Sequence, residues 1–292
     1  MGKVKIGIVG TGNIGTDLLY KIQRSNYLEC GIFAGHNVDS KGIKLANELG
    51  VPTTTDSIDY IEEHPSCCDI IVDATSASFH DRVYSSAKKL GKFSIDLTPS
   101  KKGKMCIPAI NLNECLDEQE VSLITCGGQA TVPLAYAISQ VHSNVDYFEI
   151  VATIASLSAG PGTRNNIDEF TQTTSEALRF FTGVKSSKAI IILNPAEPPI
   201  TMHNTLYSLI KEPDMDSICR NVSLMEMKIK EYVPGYNIIV KPTKESSRIT
   251  VTLGVEGLGD YLPKYSGNLD IITCAALKTA EEYAKKKIGG IR

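Results

Sequence analysis

Six residues, Gly10-Thr11-Gly12-Asn13-Ile14-Gly15, limit what this chain can fold into more than any others. They form a GxGxxG pattern directly after the apolar run Val4, Ile6, Ile8 and Val9, and directly before Leu18, Leu19 and Ile22 at helical spacing. Strand, glycine turn and helix in that order is the context in which the pattern binds a dinucleotide. One glycine makes the turn, the second admits a pyrophosphate to the backbone, and the third lets helix and strand pack closely. The helix N-terminus then favours the anion. From spacing alone, glycines serving only a tight turn remain the alternative. The ribose end is open as well: Asp39 can take a 2′-hydroxyl, or His36, Ser40 and Lys41 a 2′-phosphate. NAD is the expectation, with NADP as the alternative.

The pattern continues as strand and helix in alternation. Apolar strands are expected at 30–34, 70–72, 93–97 and 121–125, with helices near 42–49 and 81–90. Such alternation predicts a parallel sheet covered on both faces, a Rossmann domain. After Cys126 the pattern changes. Strands are expected at 147–156, 189–193, 236–241 and 248–255, the last two alternating as antiparallel strands do. A helix carrying Ile167, Phe170, Ala177, Leu178 and Phe181 should stop at Gly183, and further helices are expected at 216–232 and 268–287. The fold class is therefore α/β, with an N-terminal Rossmann domain (1–130 with 268–292) and an α+β catalytic and dimerisation domain (131–267). The 292 residues are enough for two domains.

Composition excludes several partners. The net charge of −3 gives no general attraction for nucleic acid or an anionic membrane, and no apolar run reaches membrane-spanning length. The N-terminus goes straight into a strand-like pattern, so no secretory leader is expected, and the eight cysteines contain no CxxC pair. Free thiols in a reducing cytoplasm are the expectation. No metal is expected. Cys67-Cys68 lacks a second pair, and His36, His64, His80, His142 and His203 show no HExxH spacing.

The segment Thr125-Cys126-Gly127-Gly128-Gln129-Ala130-Thr131-Val132-Pro133 carries the candidate chemistry. Pro133 is expected to open a helix, leaving Cys126 in a glycine-flanked loop at its N-terminus. The positive helix end should favour the thiolate, and the Gly127 and Gly128 amides are candidate oxyanion donors. A thiol beside a dinucleotide loop points to aldehyde oxidation through a thioester. A lone cysteine is also commonly buried and inert.

Eight segments extend the pattern: GTGNIGTD (10–17), DATSAS (73–78), DLTP (96–99), TCGGQAT (125–131), SAGPGTRNNIDEF (158–170), NPAEPP (194–199), YVPGY (232–236) and YLPKYSGNLDI (261–271). With them the chain resembles the bacterial acylating acetaldehyde dehydrogenases, the aldolase-coupled enzymes of aromatic hydrocarbon catabolism. The resemblance implies a two-domain fold like glyceraldehyde-3-phosphate dehydrogenase and a Cys126 nucleophile; a homodimer is expected from the apolar strands of the second domain, which suggest a self-pairing surface. It further implies cofactor contacts from Ser158, Ala159, Gly160, Pro161, Gly162, Thr163, Arg164, Asn165, Asn166 and Asn268. Its substrates would be a short aldehyde, NAD and coenzyme A, with a 4-hydroxy-2-oxoacid aldolase as partner. The residues alone read Gly160-Pro161-Gly162 as a turn and Asn166 and Asn268 as helix caps. Arg164 reads either as an ion-pair partner or as a ligand for a CoA phosphate.

The chain departs from the family twice. His203-Asn204 stands where the family carries Arg-Asp. An amide cannot accept a proton at neutral pH, so His203 becomes the candidate base. The stretch between Tyr236 and Val255 is shorter than in the family, which bears on the aldolase partnership. Two other functions stay open: a semialdehyde or longer-chain dehydrogenase, and a non-catalytic dinucleotide sensor.

Overall fold

The computed structural model describes residues 2–100 and 102–289, and its contacts divide the chain into two compact units. The first comprises residues up to Leu123 together with Ile272 onward, and the second runs from Ile124 to Ile271. Cys126 therefore belongs to the second unit, ahead of the boundary at 130 expected from sequence.

The first unit follows the expected alternation. Its elements are β1 (Val4–Val9), α1 (Asn13–Gln23), β2 (Leu28–Ala34), α2 (Lys41–Glu48), β3 (Thr53–Thr54), α3 (Ser57–Glu63), β4 (Ile70–Asp73), α4 (His80–Leu90), β5 (Phe93–Asp96), β6 (Lys104–Met105), α5 (Pro108–Cys115) and β7 (Glu120–Ser122). Among the described residues the seven strands form one parallel sheet in the order β3-β2-β1-β4-β5-β7-β6. The order reverses direction between β1 and β4, and such a switch point opens a crevice at the carboxyl ends of the strands. Strands β4 and β5 are buried at every position, as a sheet covered on both faces requires. Gly91, at φ 63°, ends α4 in the left-handed conformation that glycine adopts without strain.

The second unit contains α6 (Cys126–Ser139), β8 (Tyr147–Ala155), α7 (Pro161–Asn165), α8 (Ile167–Thr182), β9 (Ser187–Asn194), β10 (Met202–Leu209), α9 (Met215–Lys230), β11 (Tyr236–Glu245) and β12 (Arg248–Val255). Its strands pair in the order β11-β12-β10-β8-β9, antiparallel except for β8 with β9. Helix α8 stops at Gly183 (φ 73°), as expected. One sheet face is buried, through Phe148, Ile150 and Ala152 on β8, Asn204, Leu206 and Ser208 on β10, and Ile249, Val251 and Leu253 on β12. Strand β10, the middle strand of this sheet, has no counterpart in the sequence expectation.

A last helix, α10 (Gly267–Gly289), begins in the second unit and ends in the first. Within the first unit it is anchored by polar and aromatic contacts. Thr273 Oγ1 donates to Asp17 Oδ2 at 2.6 Å, and the same oxygen pairs with the buried Lys21 ammonium at 2.5 Å. The rings of Tyr283 and Phe93 stack at 4.1 Å.

Candidate active site

The Gly10–Gly15 loop lies where the sequence places it, between β1 and α1. Gly10 adopts φ 112°, and a Cβ there would stand 2.4 Å from the carbonyl oxygen of Ala74. The turn thus lies flat on the backbone that leaves β4. Gly12 is the N-cap of α1, with ordinary φ −79° and no side chain to cap the helix. A Cβ on Gly12 would meet nothing within 4 Å. That open space in front of an uncapped helix end fits a pyrophosphate. Thr11 and Asn13 flank it, Ile14 follows, and a Cβ on Gly15 would stand 1.9 Å from Gly10 O, so α1 packs tightly under the turn. At the ribose end, Ser40 Oγ caps α2 by accepting the Ile43 N–H at 3.2 Å, while the exposed Asp39 lies 3.3 Å from Lys44.

In the second unit, α6 begins at Cys126 itself. This corrects the expectation of a loop ended by Pro133, which instead lies inside the helix. The true cap is Thr125. Its Oγ1 accepts the Gly128 N–H at 2.9 Å and lies 2.7 Å from Thr174 Oγ1. Thr174 gives its own proton to Phe170 O at 2.7 Å, so Thr125 must be the donor in the threonine pair. Gly128 is therefore no oxyanion donor, because its N–H is already taken. The N–H groups of Gly127 and of Cys126 itself are directed at the sulfur.

The chain reaches this cap through strain. Ile124 holds φ 65°, a left-handed conformation that costs a β-branched residue about 1–2 kcal/mol. A Cβ on Gly127 would lie 2.8 Å from Phe170 Cζ and 3.4 Å from Ala152 Cβ. No side chain fits there, so the first turn of α6 is pressed between α8 and β8. Tyr236 Oη donates to Ala130 O at 2.8 Å, next to the Gln129 carbonyl that Pro133 leaves without its helical N–H donor.

The thiol is half-buried, and its electrostatics oppose the sequence expectation. Burial pushes Cys126 up to about 12, and the two backbone N–H groups pull it down only in part. The helix end and glycine flanks are present, but desolvation of the anion outweighs them.

His203 is the second correction. Its register partners are Thr153 and Gly254, whereas Asn204 pairs with Ala152 and Leu253. Neighbouring residues on a strand point to opposite faces. Asn204, fully buried, donates from Nδ2 to Thr131 Oγ1 on α6 at 2.8 Å. His203 accordingly stands on the face away from α6, and the structure does not bring it to Cys126. Asn204 Oδ1 has no hydrogen-bond partner among the described residues.

The Ser158–Asn166 stretch folds on itself. Ser158 Oγ donates to Ala155 O at 2.8 Å. Arg164 donates to Ala159 O at 3.0 Å, to Ser156 O at 2.9 Å and to Ser156 Oγ at 2.8 Å. Gly160 precedes α7, which Pro161, Gly162, Thr163, Arg164 and Asn165 form, and Asn166 takes the N-cap position of α8. Asn268, in the first turn of α10, is buried, and its Oδ1 has no partner among the described residues. Such an orphaned acceptor fits a ligand donor. One cluster in the first unit has ligand atoms within metal-binding distance, namely Asp73, His80 and Asp96. Both imidazole nitrogens there face carboxylate oxygens, so as donors they leave no lone pair for a cation. No described helix is long and apolar enough to cross a membrane.

Comparison with known proteins adds a family. Residues 126–263 match the model of "Prokaryotic acetaldehyde dehydrogenase, dimerisation". An acetaldehyde dehydrogenase of Geobacillus stearothermophilus is 53% identical over 290 residues, covering 99% of this chain and 98% of its own length. Those of Pectobacterium atrosepticum and Burkholderia pseudomallei are 49% and 46% identical, with 98% of this chain covered in each case and 98% and 97% of their own lengths.

Proposed function

The chain belongs to the acetaldehyde dehydrogenase family, and on that footing we propose that it oxidises acetaldehyde to an acyl thioester on Cys126 and passes the acyl group to coenzyme A. The observation that carries this reading is the first turn of α6. There, the Cys126 and Gly127 backbone N–H groups lie beside the sulfur, and Gly127 packs so closely on Phe170 and Ala152 that a side chain would have to displace them.

Each step uses groups of this chain. The Cys126 thiol loses its proton to water, and its sulfur adds to the aldehyde carbonyl carbon as the C=O π bond opens onto oxygen, forming a thiohemiacetal anion. The Cys126 and Gly127 N–H groups, beside the sulfur, are the donors assigned to the oxygen that becomes negative. The Gly10–Gly15 loop would hold a nicotinamide dinucleotide, which would supply the acceptor for the hydride lost from this carbon as its C=O bond re-forms. The remaining thioester is attacked by the CoA thiol, and the Cys126 sulfur departs and regains a proton. A thiol acceptor needs no strong base, which accords with the amide of Asn204 on the α6 face. Arg164 gives Nε and Nη2 to oxygens of Ala159 and Ser156. The name that the relatives carry, acetaldehyde dehydrogenase, favours a short aldehyde over a semialdehyde. We assign the second face of the five-stranded sheet, with Val151, Ile190 and the exposed Ile192, to a homodimer interface.

Cys126→Ser tests the proposal. The variant should bind the dinucleotide normally, yet gain no acyl group from acetyl-CoA by mass spectrometry. If it keeps more than about a tenth of wild-type turnover, the sulfur is not the nucleophile.

A further inference from the structure

The first unit buries a charged cluster that the reaction above does not use. Three neighbouring strands each contribute one carboxylate: Asp73 and Asp96 end β4 and β5, and Glu120 begins β7. Asp73 on β4 pairs in register with Asp96 on β5, and Glu120 on β7 pairs with Ser94, two residues before Asp96. That parity puts all three on one sheet face. His80, the first residue of α4, enters among them. Its Nδ1 lies 2.8 Å from Asp73 Oδ2 and 3.4 Å from Asp96 Oδ1, and its Nε2 lies 3.3 Å from Glu120 Oε1. The four side chains are essentially closed to solvent, and the Nε2–Oε1 approach is a charge contact rather than a hydrogen bond: His80 Nε2 and both Glu120 oxygens have no hydrogen-bond partner among the described residues. On its own helix His80 is followed by Asp81 and faces the Tyr84 ring at 6.3 Å.

Three carboxylates around one imidazole hold an excess of negative charge in a sealed space. Such a cluster persists only when it retains protons. Burial lowers the His80 imidazole, but its bond to Asp73, its contact with Glu120 and the charges of Asp96 and Asp73 reverse this and raise it to about 10. Burial raises Asp96 to about 7 against the opposing pull of His80.

The carboxylates also hold the turns that leave the sheet. Asp73 Oδ1 accepts from Thr75 N at 2.9 Å and from Thr75 Oγ1 at 2.6 Å. Asp96 accepts from Thr98 N at 2.7 Å and from Ser100 Oγ at 2.6 Å. The Gly10 turn rests on Ala74 and Thr75, since a Cβ on Gly10 would meet Ala74 O at 2.4 Å and Thr75 N at 3.0 Å. A continuous series of contacts therefore runs from the buried imidazole through Asp73 and the Thr75 turn to the glycine loop.

We propose that His80 is a positioning residue for the dinucleotide: as a charged imidazole it ties the ends of β4, β5 and β7 together and fixes the Asp73–Thr75 turn under the Gly10–Gly15 loop. This rests on the reading of that loop as the dinucleotide site.

The experiment has two arms. In the first, nitrogen-15 NMR of labelled histidines in the wild-type protein reports the His80 ring, which should remain doubly protonated at pH 8. A neutral ring at pH 8, or a stoichiometric divalent metal in the purified protein, overturns the proposal. In the second, His80→Gln should raise KM for NAD by about tenfold, with kcat at saturating NAD within about twofold. Acylation of Cys126 by acetyl-CoA without dinucleotide should be unchanged. Lower thermal stability with unchanged KM would make His80 a structural tie only and overturn the proposal. Should His80→Gln fail to fold, His80→Gln/Glu120→Gln removes two opposite charges together and should fold and show the same KM shift. An unchanged KM in that variant is equally fatal. Failure of the wild type to bind any dinucleotide would instead refute the underlying reading of the loop.

Discussion

Gly12→Ala separates what the glycine loop does for the fold from what it does for a ligand. Gly12 has φ −79° and ψ −168°, which alanine adopts freely, and its Cβ would meet nothing within 4 Å. Alanine is a poorer N-cap than glycine, by about 0.5–1 kcal/mol. It also restricts the unfolded chain, which returns about 0.4–1 kcal/mol. The two nearly cancel, so unfolding in urea should shift by less than about 0.5 kcal/mol. Binding should behave otherwise. A methyl group in space meant for a pyrophosphate overpacks the complex by about 1–3 kcal/mol, which is roughly 5- to 150-fold in dissociation constant. Gly10→Ala is the control. It forces alanine to φ 112° and drives Cβ within 2.4 Å of a backbone oxygen that cannot move alone. Left-handed strain of about 1–2 kcal/mol plus overpacking predicts a stability loss of about 2–5 kcal/mol. Urea unfolding and calorimetric titration with NAD measure both quantities. A Gly12→Ala protein that binds NAD like wild type would refute the assignment of that space to a ligand.

Two further outcomes follow from the same contacts. Because His80 is raised to about 10 in the folded state, the native protein holds a proton that the unfolded chain releases near pH 6.5. Stability from this group is complete below pH 6.5 and should fall by about 1.4 kcal/mol per pH unit from pH 7 to pH 9, a slope measurable by urea midpoints and absent in His80→Gln. Asp96, raised to about 7, acts with the same sign at lower pH, its share falling from about pH 4 to pH 7; a wild-type midpoint that rises between pH 7 and pH 9 would refute the assignment. Thr125→Ala removes the acceptor for Gly128 N–H and should cost about 1 kcal/mol and slow acylation of Cys126, while Thr125→Ser keeps the bond and stays near wild type; equal unfolding midpoints for the two variants would count against the cap.

How much of this was legible in sequence depended on whether the relevant contacts were local. Strand β4 is buried on both faces, so Ile70-Ile71-Val72 is a continuous apolar run that marks a parallel sheet without any tertiary knowledge. The stop at Gly183 is equally local, because a left-handed residue after a helix calls for glycine. Strand β10 escaped because two of its inward positions are Asn204 and Ser208, which break the alternation that marks a half-buried strand. Asn204 is tolerated there only because Thr131, far away in sequence, offers an oxygen to its amide. The start of α6 was misplaced for a related reason. Two glycines and a proline oppose a helix by propensity, but Phe170 and Ala152 leave room for nothing larger than Gly127, and Tyr236 adds a hydrogen bond to the Ala130 carbonyl. The thiol shows the limit most clearly. Its glycine neighbours are local, yet the dominant influence on its ionisation is desolvation, which distant residues impose. His80 completes the point: Asp73, Asp96 and Glu120 converge on it only through the register of three strands, and no spacing along the chain encodes a register. Local sequence therefore specified which groups could react, while their protonation and orientation came from packing between elements remote in the chain.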